Sequence, residues 1–465
     1  MAERPHLDRV LGPVSATCIV IGAIIGVGIF LTPGRVVSLT GSGQMALLAW
    51  VVGGAIAMLG ALTFAELGGM YTRSGAHYAT LRDSYGPVGG FLYVFCNSTV
   101  IQSGGGVIMS LVCAGHLVAA FDGVSPAQGN VKTILIATVL IVALAVNNVV
   151  GVRFGATIQN VTVFSKVATL AAIILMAAFI EPSAPLVPRE LPRPEGTQVA
   201  LFFSGLVPVL FSYGGWQHAL WIGGEIKDPK RNIPFSLVGG VGIVIVVYLL
   251  ANWAYLHLLG EAAMTESRTI AADAVSRVMS GDVARVVAGL VAVSAFGVLN
   301  ASFLSSPRLL YGMARDGRFF SPFAAVHPRF HTPYWSILTI AAIGLVMLWL
   351  AREEGVNFLL NGVTMVEALF MLLTGVAVIV LRRRRPDAER PVGVPLYPLV
   401  PILFVVGECL VLVGAFTDEE VRNSAWIGLV WIVLAAVVYF VFFRGKPSLN
   451  ALEEKGDERR ETGDG

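Results

Sequence analysis

Twelve long apolar stretches limit the possible folds of this chain more than any other feature of its sequence. They lie at 13–36, 44–66, 88–119, 131–150, 155–180, 199–225, 234–258, 283–314, 334–351, 357–381, 396–416 and 424–443. A helix needs about 20 apolar residues to cross the hydrocarbon core of a bilayer. The pattern therefore predicts an all-α polytopic membrane protein with twelve transmembrane helices.

The scarcity of charge supports the same fold class. Only 13% of the residues are charged and 55% are hydrophobic, whereas soluble proteins average about 25% charged residues. So few charges could not cover a water-facing surface of this size, and most of the outer surface is expected to face lipid. The formal net charge of +2 gives no reason to expect a nucleic acid partner.

The basic residues are unevenly divided between the two sides of the predicted bundle. An even number of spans places both termini on one side, and most Lys and Arg lie in loops on that side, including Arg82, Lys230 and the run at 382–385. The positive-inside rule then predicts that both termini are cytoplasmic and that the chain is a multi-pass protein of the inner (plasma) membrane. We expect a cytoplasmic N-terminus at 1–12 and a disordered cytoplasmic tail at 444–465.

Glycines interrupt the first and sixth spans at corresponding places. The first span contains Gly26 and Gly28, and the sixth contains Gly214 and Gly215. A glycine inside a helix costs about 1 kcal/mol relative to alanine. One such site alone fits close helix packing equally well, since Gly22 and Gly26 also have small-xxx-small spacing. Two sites five spans apart indicate an inverted repeat with unwound helices 1 and 6.

This interpretation divides the chain into two five-helix repeats, 13–180 and 199–381, followed by two extra helices at 396–443. Unwinding a helix inside a membrane frees backbone groups, and these are tolerated only where they line a cavity or find partners. The freed N–H groups suit an anion, and the freed carbonyls suit an ammonium group. A site that offers both matches the zwitterion of an amino acid.

Four stretches of sequence resemble a known family. They are GAIIGVGIFLTPG at 22–34, FSYGGWQ at 211–217 with EIKDPKRNIP at 225–234, FGVLNASFLSSPRLLYGMARDG at 296–317, and LRRRRPDAERP at 381–391. With these stretches in this order, the chain resembles the amino acid–polyamine–organocation superfamily, and within it the L-type amino-acid transporter family. The resemblance implies a leucine-transporter-type 5+5 inverted repeat and secondary transport of amino acids by alternating access.

The resemblance also implies that residues at the two breaks bind the substrate. The implied substrate-binding residues are Ile24, Gly26, Val27, Gly28, Phe211, Ser212, Gly214, Trp216 and Gln217. The N–H groups of residues 26–28 would hold the carboxylate, and the ammonium would meet carbonyls of Ile24 and of residues 211, 212 and 214. Phe211 matches an aromatic residue that, in the family, covers the bound substrate and acts as a gate. Trp216 and Gln217 would border the side-chain pocket, although Trp216 fits a packing role equally well.

Lys166, Glu367 and Glu408 are charged residues well inside predicted spans. An ionisable group inside a membrane is a functional hypothesis by default. The resemblance implies that the ammonium group of Lys166, in span five, takes the place of the sodium ion that sodium-coupled relatives bind. Ser302 would be its hydroxyl partner, and no metal would be bound. Glu367 of span ten is expected to carry a proton, to select the substrate side chain, or to make a structural hydrogen bond. Glu408 of span eleven lies outside the ten-helix core, where a packing or dimer role is expected.

Other functions fit the sequence less well. It contains no HExxH, GxSxG or phosphate-cradling motif, so we expect neither an enzyme nor a cofactor. The substrate is expected to be a small or medium neutral L-amino acid, moved by exchange or by proton-coupled symport. A polyamine or cationic amino-acid transporter, and a non-transporting amino-acid sensor on the same fold, remain alternatives.

The four cysteines indicate that the chain works without a covalently attached partner. All four lie in apolar stretches rather than in loops. Eukaryotic members of the family that the chain resembles join a heavy chain through a cysteine in the loop after span three, and here that loop, at 120–126, has none. We expect no disulfide-linked heavy chain, and a monomer or a weak homodimer.

Overall fold

The computed structural model describes most of the chain. The described residues are 7–123, 130–181, 197–267, 269–279, 282–351, 355–417 and 419–444. Within these ranges, regular structure is helical apart from one isolated β-bridge between Leu11 and Ile226. Most of the predicted tail at 444–465 and part of the loop at 120–126 lie outside the described residues, as does the start of the predicted N-terminal segment at 1–12.

Eight α-helices form the first half of the chain. They are α1 (Pro13–Ile24), α2 (Gly28–Thr40), α3 (Gly43–Met70), α4 (Ala76–Tyr85), α5 (Pro87–Cys96), α6 (Gln102–Asp122), α7 (Val131–Val150) and α8 (Val152–Phe179). A single turn of π-helix, Asn97–Ile101, joins α5 to α6, so that Pro87–Asp122 forms one continuous span.

Ten further α-helices form the second half. They are α9 (Gln198–Tyr213), α10 (His218–Trp221), α11 (Pro229–Glu266), α12 (Ile270–Ser276), α13 (Val283–Ser305), α14 (Pro307–Arg315), α15 (Tyr334–Ala351), α16 (Gly355–Arg384), α17 (Leu399–Thr417) and α18 (Glu419–Phe442). The short helices α4, α10 and α12 lie between or beside the long ones.

The helices reproduce the predicted spans. By length and composition, eight described helical segments could cross a membrane, and the pair α1 and α2, bent by 42°, makes a ninth. Three shorter apolar helices lie at Tyr334–Leu350, Leu399–Val413 and Trp426–Phe442. Each of the twelve apolar stretches coincides with one of these segments, which confirms an all-α polytopic membrane protein.

Local signals in the loops set where several helices begin and end. The side chains of Ser42, Asn130 and Thr197 accept hydrogen bonds from the backbone N–H three residues further on, at the first turns of α3, α7 and α9. Gly41 and Gly123 take positive φ angles directly after α2 and α6, a conformation that glycine adopts without strain. The ends of these helices therefore follow from residues next to them in sequence.

Corresponding helices of the two halves pack against each other. In the order of the predicted spans, the second packs along the seventh (α3 on α11), the third along the eighth (α6 on α13), and the fourth along the ninth (α7 on α15). The fifth span packs on the eighth (α8 on α13). In the same way, the tenth span packs on the third (α16 on α6). The predicted repeats at 13–180 and 199–381 stay a prediction, which these reciprocal contacts support.

Ion pairs join the helices at the end of the bundle where the chain begins. Glu225 and Arg308 are both fully buried and form two hydrogen bonds of 2.9 Å. Glu66, at the end of α3, accepts hydrogen bonds from Arg382 and Arg390. Both glutamates thus pair with arginines; one pair joins the segment after α10 to α14, and the other joins α3 to α16.

Candidate functional site

The first break separates α1 from α2. Helix α1 ends at Ile24 and α2 begins at Gly28, with the residues between them outside the helices. Within the described part of the chain, no acceptor is found for the backbone N–H groups of Val27 and Gly28. These groups form the N-terminus of α2, where the aligned peptide dipoles favour an anion. The geometry therefore suits the carboxylate expected at this break.

The second break separates α9 from α10. Helix α9 ends at Tyr213, α10 begins at His218, and Gly215 between them has a φ angle of 107°. A Cβ atom at Gly215 would lie 2.7 Å from the carbonyl oxygen of Ala23 in α1. Both the backbone angle and the close approach to α1 exclude a larger residue here. Glycine at this position therefore brings the second break against the end of α1.

The two breaks meet face to face. A Cβ atom at Gly28 would lie 2.9 Å from the hydroxyl oxygen of Ser212, and Thr32 shares a hydrogen bond of 2.9 Å with the same hydroxyl. The hydroxyl of Tyr248 in α11 lies 3.0 Å from the carbonyl oxygen of Ile24 and 3.3 Å from that of Ser212. Two carbonyls predicted to hold an ammonium group therefore converge on one point, beside the free N–H groups of α2.

Tyr248 has no signal in the sequence that marks it as a site residue. It is one tyrosine in an apolar stretch of span seven and is fully buried. Its role depends on α11 packing between the two breaks, a tertiary contact. Of the other predicted carbonyls, that of Phe211 accepts a hydrogen bond from the backbone N–H of Gly214 at 3.1 Å.

Lys166 reaches the first break from α8. Its ammonium nitrogen lies 2.5 Å from the carbonyl oxygen of Ile25, 3.1 Å from that of Gly22 and 3.5 Å from that of Ser294 in α13. The residue is 1% exposed and forms no ion pair with a described residue. One ammonium group thus donates to three backbone carbonyls and ties α8 to α1 and α13, an arrangement consistent with the role proposed for it.

The serine of α13 that contacts Lys166 is Ser294, through its backbone carbonyl, whereas the resemblance implies Ser302 as the partner. The Ser294 hydroxyl lies 3.4 Å from the carbonyl oxygen of Gly26, whereas Ser302 contacts Ser306 through its backbone carbonyl. The two serines are eight residues apart, which displaces them by about 12 Å along a helix. A sequence motif does not show which turn of α13 faces α8.

Glu367 lies beside the second break. One of its carboxylate oxygens accepts a hydrogen bond of 2.7 Å from the side-chain nitrogen of Gln217, which is itself only 2% exposed. The structure therefore brings together two residues that the sequence singled out separately, in spans six and ten. The contact joins α16 to the second break.

A cavity of about 60 Å³ adjoins this carboxylate. Its lining residues are Ile56, Ala57, Leu210, Phe211, Tyr213, Gly214, Trp216, Glu367, Ala368, Met371, Phe404, Glu408 and Val411. Trp216 lines this cavity and also packs edge-on against Phe64, with 4.5 Å between the ring centroids. Glu408, for which the sequence indicates a packing or dimer role, also lines this cavity.

The described residues offer no metal site. No group of three or more His, Cys, Asp or Glu side chains in the described ranges could hold a metal ion. The chemistry of the site is therefore that of an anion-binding helix terminus, a pair of carbonyls and an acidic cavity. Such a site can bind an amino acid through its charged groups.

Comparison with known proteins gives consistent matches over nearly the whole chain. A profile of the amino acid permease family matches residues 11–443. The chain is 30% identical over 416 residues to the serine/threonine exchanger SteT of Bacillus subtilis, covering 88% of this chain and 92% of that protein. It is 29% identical over 443 residues to the mouse b(0,+)-type amino acid transporter 1, covering 94% and 88% of the two chains.

A third relative is the rat large neutral amino acids transporter small subunit 2. It is 30% identical over 453 residues, which cover 95% of this chain and 82% of the relative. Both breaks, Lys166 and Glu367 lie inside the region that the family profile matches.

Proposed function

Because the chain belongs to the amino acid permease family, we propose that it is a secondary transporter that carries amino acids across a membrane by alternating access. Its family and relatives are transporters rather than enzymes. The observation that carries the proposal is the meeting of the two breaks, where the free N–H groups of Val27 and Gly28 lie beside the converging carbonyls of Ile24 and Ser212.

The substrate would bind through the groups that all amino acids share. Its carboxylate would accept hydrogen bonds from the N-terminus of α2, and its ammonium would donate to the carbonyls of Ile24 and Ser212. The hydroxyl of Tyr248 lies 3.0 and 3.3 Å from these two carbonyl oxygens and would hold them in position for the ammonium. Because each half of the zwitterion has its own backbone partners, recognition of the α-groups does not depend on side-chain identity. Phe211 would cover the bound substrate from the cavity side.

Alternating access requires that one end of the bundle opens while the other closes. At the end where the chain begins, the N–H groups of Val10 and Leu11 donate to the carbonyl of Glu225, and the N–H of Lys227 donates to the carbonyl of Leu11. These bonds hold the segment before α1 against the segment after α10. Opening this end would therefore move α1 about the first break and separate these two segments.

We place both termini on the cytoplasmic side, which makes the closed end the inner one, because most basic residues lie in the loops of that side. The chain would work as a monomer or a weak homodimer without a disulfide-linked heavy chain. Either exchange or proton-coupled symport fits the site, because Lys166 and Glu367 are compatible with both.

Counterflow into proteoliposomes tests the proposal. Vesicles that contain the full chain would be loaded with an unlabelled amino acid, and uptake of the same labelled amino acid would be compared with protein-free vesicles. We expect labelled serine, threonine or another common amino acid to accumulate. Absence of counterflow for every common amino acid would overturn the proposal.

Empty vesicles separate the two mechanisms. Uptake driven by a proton gradient into vesicles that contain no amino acid would exclude strict exchange. If the protein is a symporter, one of the variants Lys166→Ala and Glu367→Gln should no longer respond to the proton gradient. The residue replaced in that variant couples proton movement to transport. Under exchange, empty vesicles should take up no substrate at any gradient.

A further inference from the structure

Two carboxyl side chains from different helices line the cavity beside the second break. Glu367 comes from α16 and Glu408 from α17, and no lysine, arginine or histidine is among the residues that line the cavity in the described part of the chain. We refer to this space as the Glu367–Glu408 pocket. Phe211 and Gly214 of the second break also line the pocket, so it lies next to the residues that we propose to bind the substrate.

Hydrogen-bond acceptors in and around the pocket lack donors. Glu367 receives one hydrogen bond, from Gln217. No hydrogen bond or ion pair joins Glu408 to another described residue. The side-chain oxygen of Gln217 is buried without a partner, although its nitrogen is bonded to Glu367. Three acceptor groups, from α16, from α17 and from the break before α10, therefore lie in or beside the pocket with only one donor among them.

Such a set of acceptors can be satisfied in two ways, by protonation of a carboxyl group or by a donor that carries positive charge. Two carboxylates near each other repel, and a cation between them removes that repulsion. An ammonium group has three N–H donors and a guanidinium has five, so each can satisfy several acceptors at once. A cation with several N–H groups would therefore satisfy the acceptors of the pocket while both carboxyl groups stay ionised.

Apart from the two glutamates, most residues that line the pocket are apolar. They include Met371, Phe404 and Val411. Apolar walls beside acidic groups match a side chain with a methylene stem and a cationic tip, because such stems pack on apolar surface while the tip finds polar partners. A proton alone would neutralise a carboxylate but would not use this space.

We propose that the Glu367–Glu408 pocket binds the cationic end of an amino-acid side chain while the two breaks hold the α-groups, so that the transporter accepts basic amino acids such as lysine. The inference rests on the proposed function and names its substrate class. From the sequence alone we expect a neutral side chain, with a cationic substrate as the alternative; the position of Glu408 in the pocket favours that alternative.

The test compares lysine with norleucine, which has the same carbon chain without the terminal ammonium. Counterflow of each labelled amino acid would be measured in proteoliposomes that contain the wild-type chain, Glu408→Gln, Glu367→Gln or the control Cys409→Ser. Cys409 is the neighbour of Glu408 on α17 and is exposed away from the pocket. Norleucine counterflow also shows that each variant is folded.

We expect the wild-type protein to exchange lysine. In each glutamine variant the rate of lysine exchange should fall at least about tenfold, which is the effect of losing one charge-assisted hydrogen bond. Norleucine exchange should fall less than lysine exchange in both glutamine variants, and Cys409→Ser should leave both unchanged. Norleucine exchange without lysine exchange in wild type would overturn this inference and leave the proposed function intact, whereas no exchange of either would overturn both. Unchanged lysine exchange in Glu408→Gln would also refute it. If Glu408→Gln instead abolishes proton-driven norleucine uptake, the pair carries a proton and the inference is wrong.

Discussion

The ammonium nitrogen of Lys166 lies 2.5 Å from the carbonyl oxygen of Ile25, inside the break of the first span. Unwinding frees this carbonyl from the helix, and a free carbonyl inside a membrane needs a donor. Lys166 supplies it from a neighbouring helix and is buried without a carboxylate partner among the described residues. The charge of the lysine and the broken helix therefore stabilise each other.

Replacing Lys166 should impair transport by loosening the first break. We expect Lys166→Ala to lower the exchange rate at least about tenfold, equivalent to about 1.4 kcal/mol, because the carbonyls of Gly22 and Ile25 lose their shared donor. Exchange in proteoliposomes measures the effect. The control is Lys132→Ala, which removes a lysine in an exposed pair with Asp122 and should leave exchange unchanged. Equal effects of both variants would contradict the role of Lys166.

Tyr248→Phe should weaken substrate binding. The variant removes the hydroxyl that lies between the carbonyls of Ile24 and Ser212, at a cost of about 1 kcal/mol for the lost hydrogen bond. We expect a higher KM for exchange and a lower Tm. Tyr255, two turns further along α11, is fully buried and its hydroxyl has no hydrogen-bond partner among the described residues. Tyr255→Phe should therefore leave KM unchanged, and a matching rise in KM there would refute the prediction.

Gly215→Ala should abolish transport. The residue has a φ angle of 107°, and the added Cβ would lie 2.7 Å from the carbonyl oxygen of Ala23, so the second break must move away from α1. Gly239 in α11 has no described atom within 4 Å of the position of its Cβ. Gly239→Ala should raise stability, by up to about 1 kcal/mol, and keep activity. Normal exchange by Gly215→Ala would show that the close approach of the breaks is not needed.

The buried pair of Glu225 and Arg308 should matter far more than an exposed pair. Glu225→Gln leaves the guanidinium without its charge partner, which we expect to cost about 3–5 kcal/mol. The double variant Glu225→Leu with Arg308→Met should recover most of this loss, because neither charge remains buried. Lys230→Ala breaks an exposed pair with Glu389 and should cost less than about 1 kcal/mol. Thermal denaturation in detergent gives the ranking, and similar Tm values for Glu225→Gln and Lys230→Ala would disprove it.

Much of the fold follows from the sequence because its signals are local. The apolar stretches locate the spans, since hydrophobicity over about 20 residues determines whether a segment enters a bilayer. The paired glycines at 26–28 and 214–215 locate the breaks, because the preference of glycine for non-helical backbone acts at the residue itself. Lys166 is conspicuous because a charge inside an apolar stretch is costly to bury and usually has a functional role.

The partners of these residues were decided only by the tertiary structure. The sequence does not show that Tyr248 lies between the breaks, that Ser294 rather than Ser302 faces Lys166, or that Glu408 lines the same pocket as Glu367. Each of these depends on the rotation of a helix about its axis. Lipid tails and the protein interior accept the same apolar side chains, so a transmembrane helix that is apolar all round carries no pattern that sets this rotation. The sequence thus determined where the chain crosses the membrane and where it breaks, and packing between helices determined which side chains meet there.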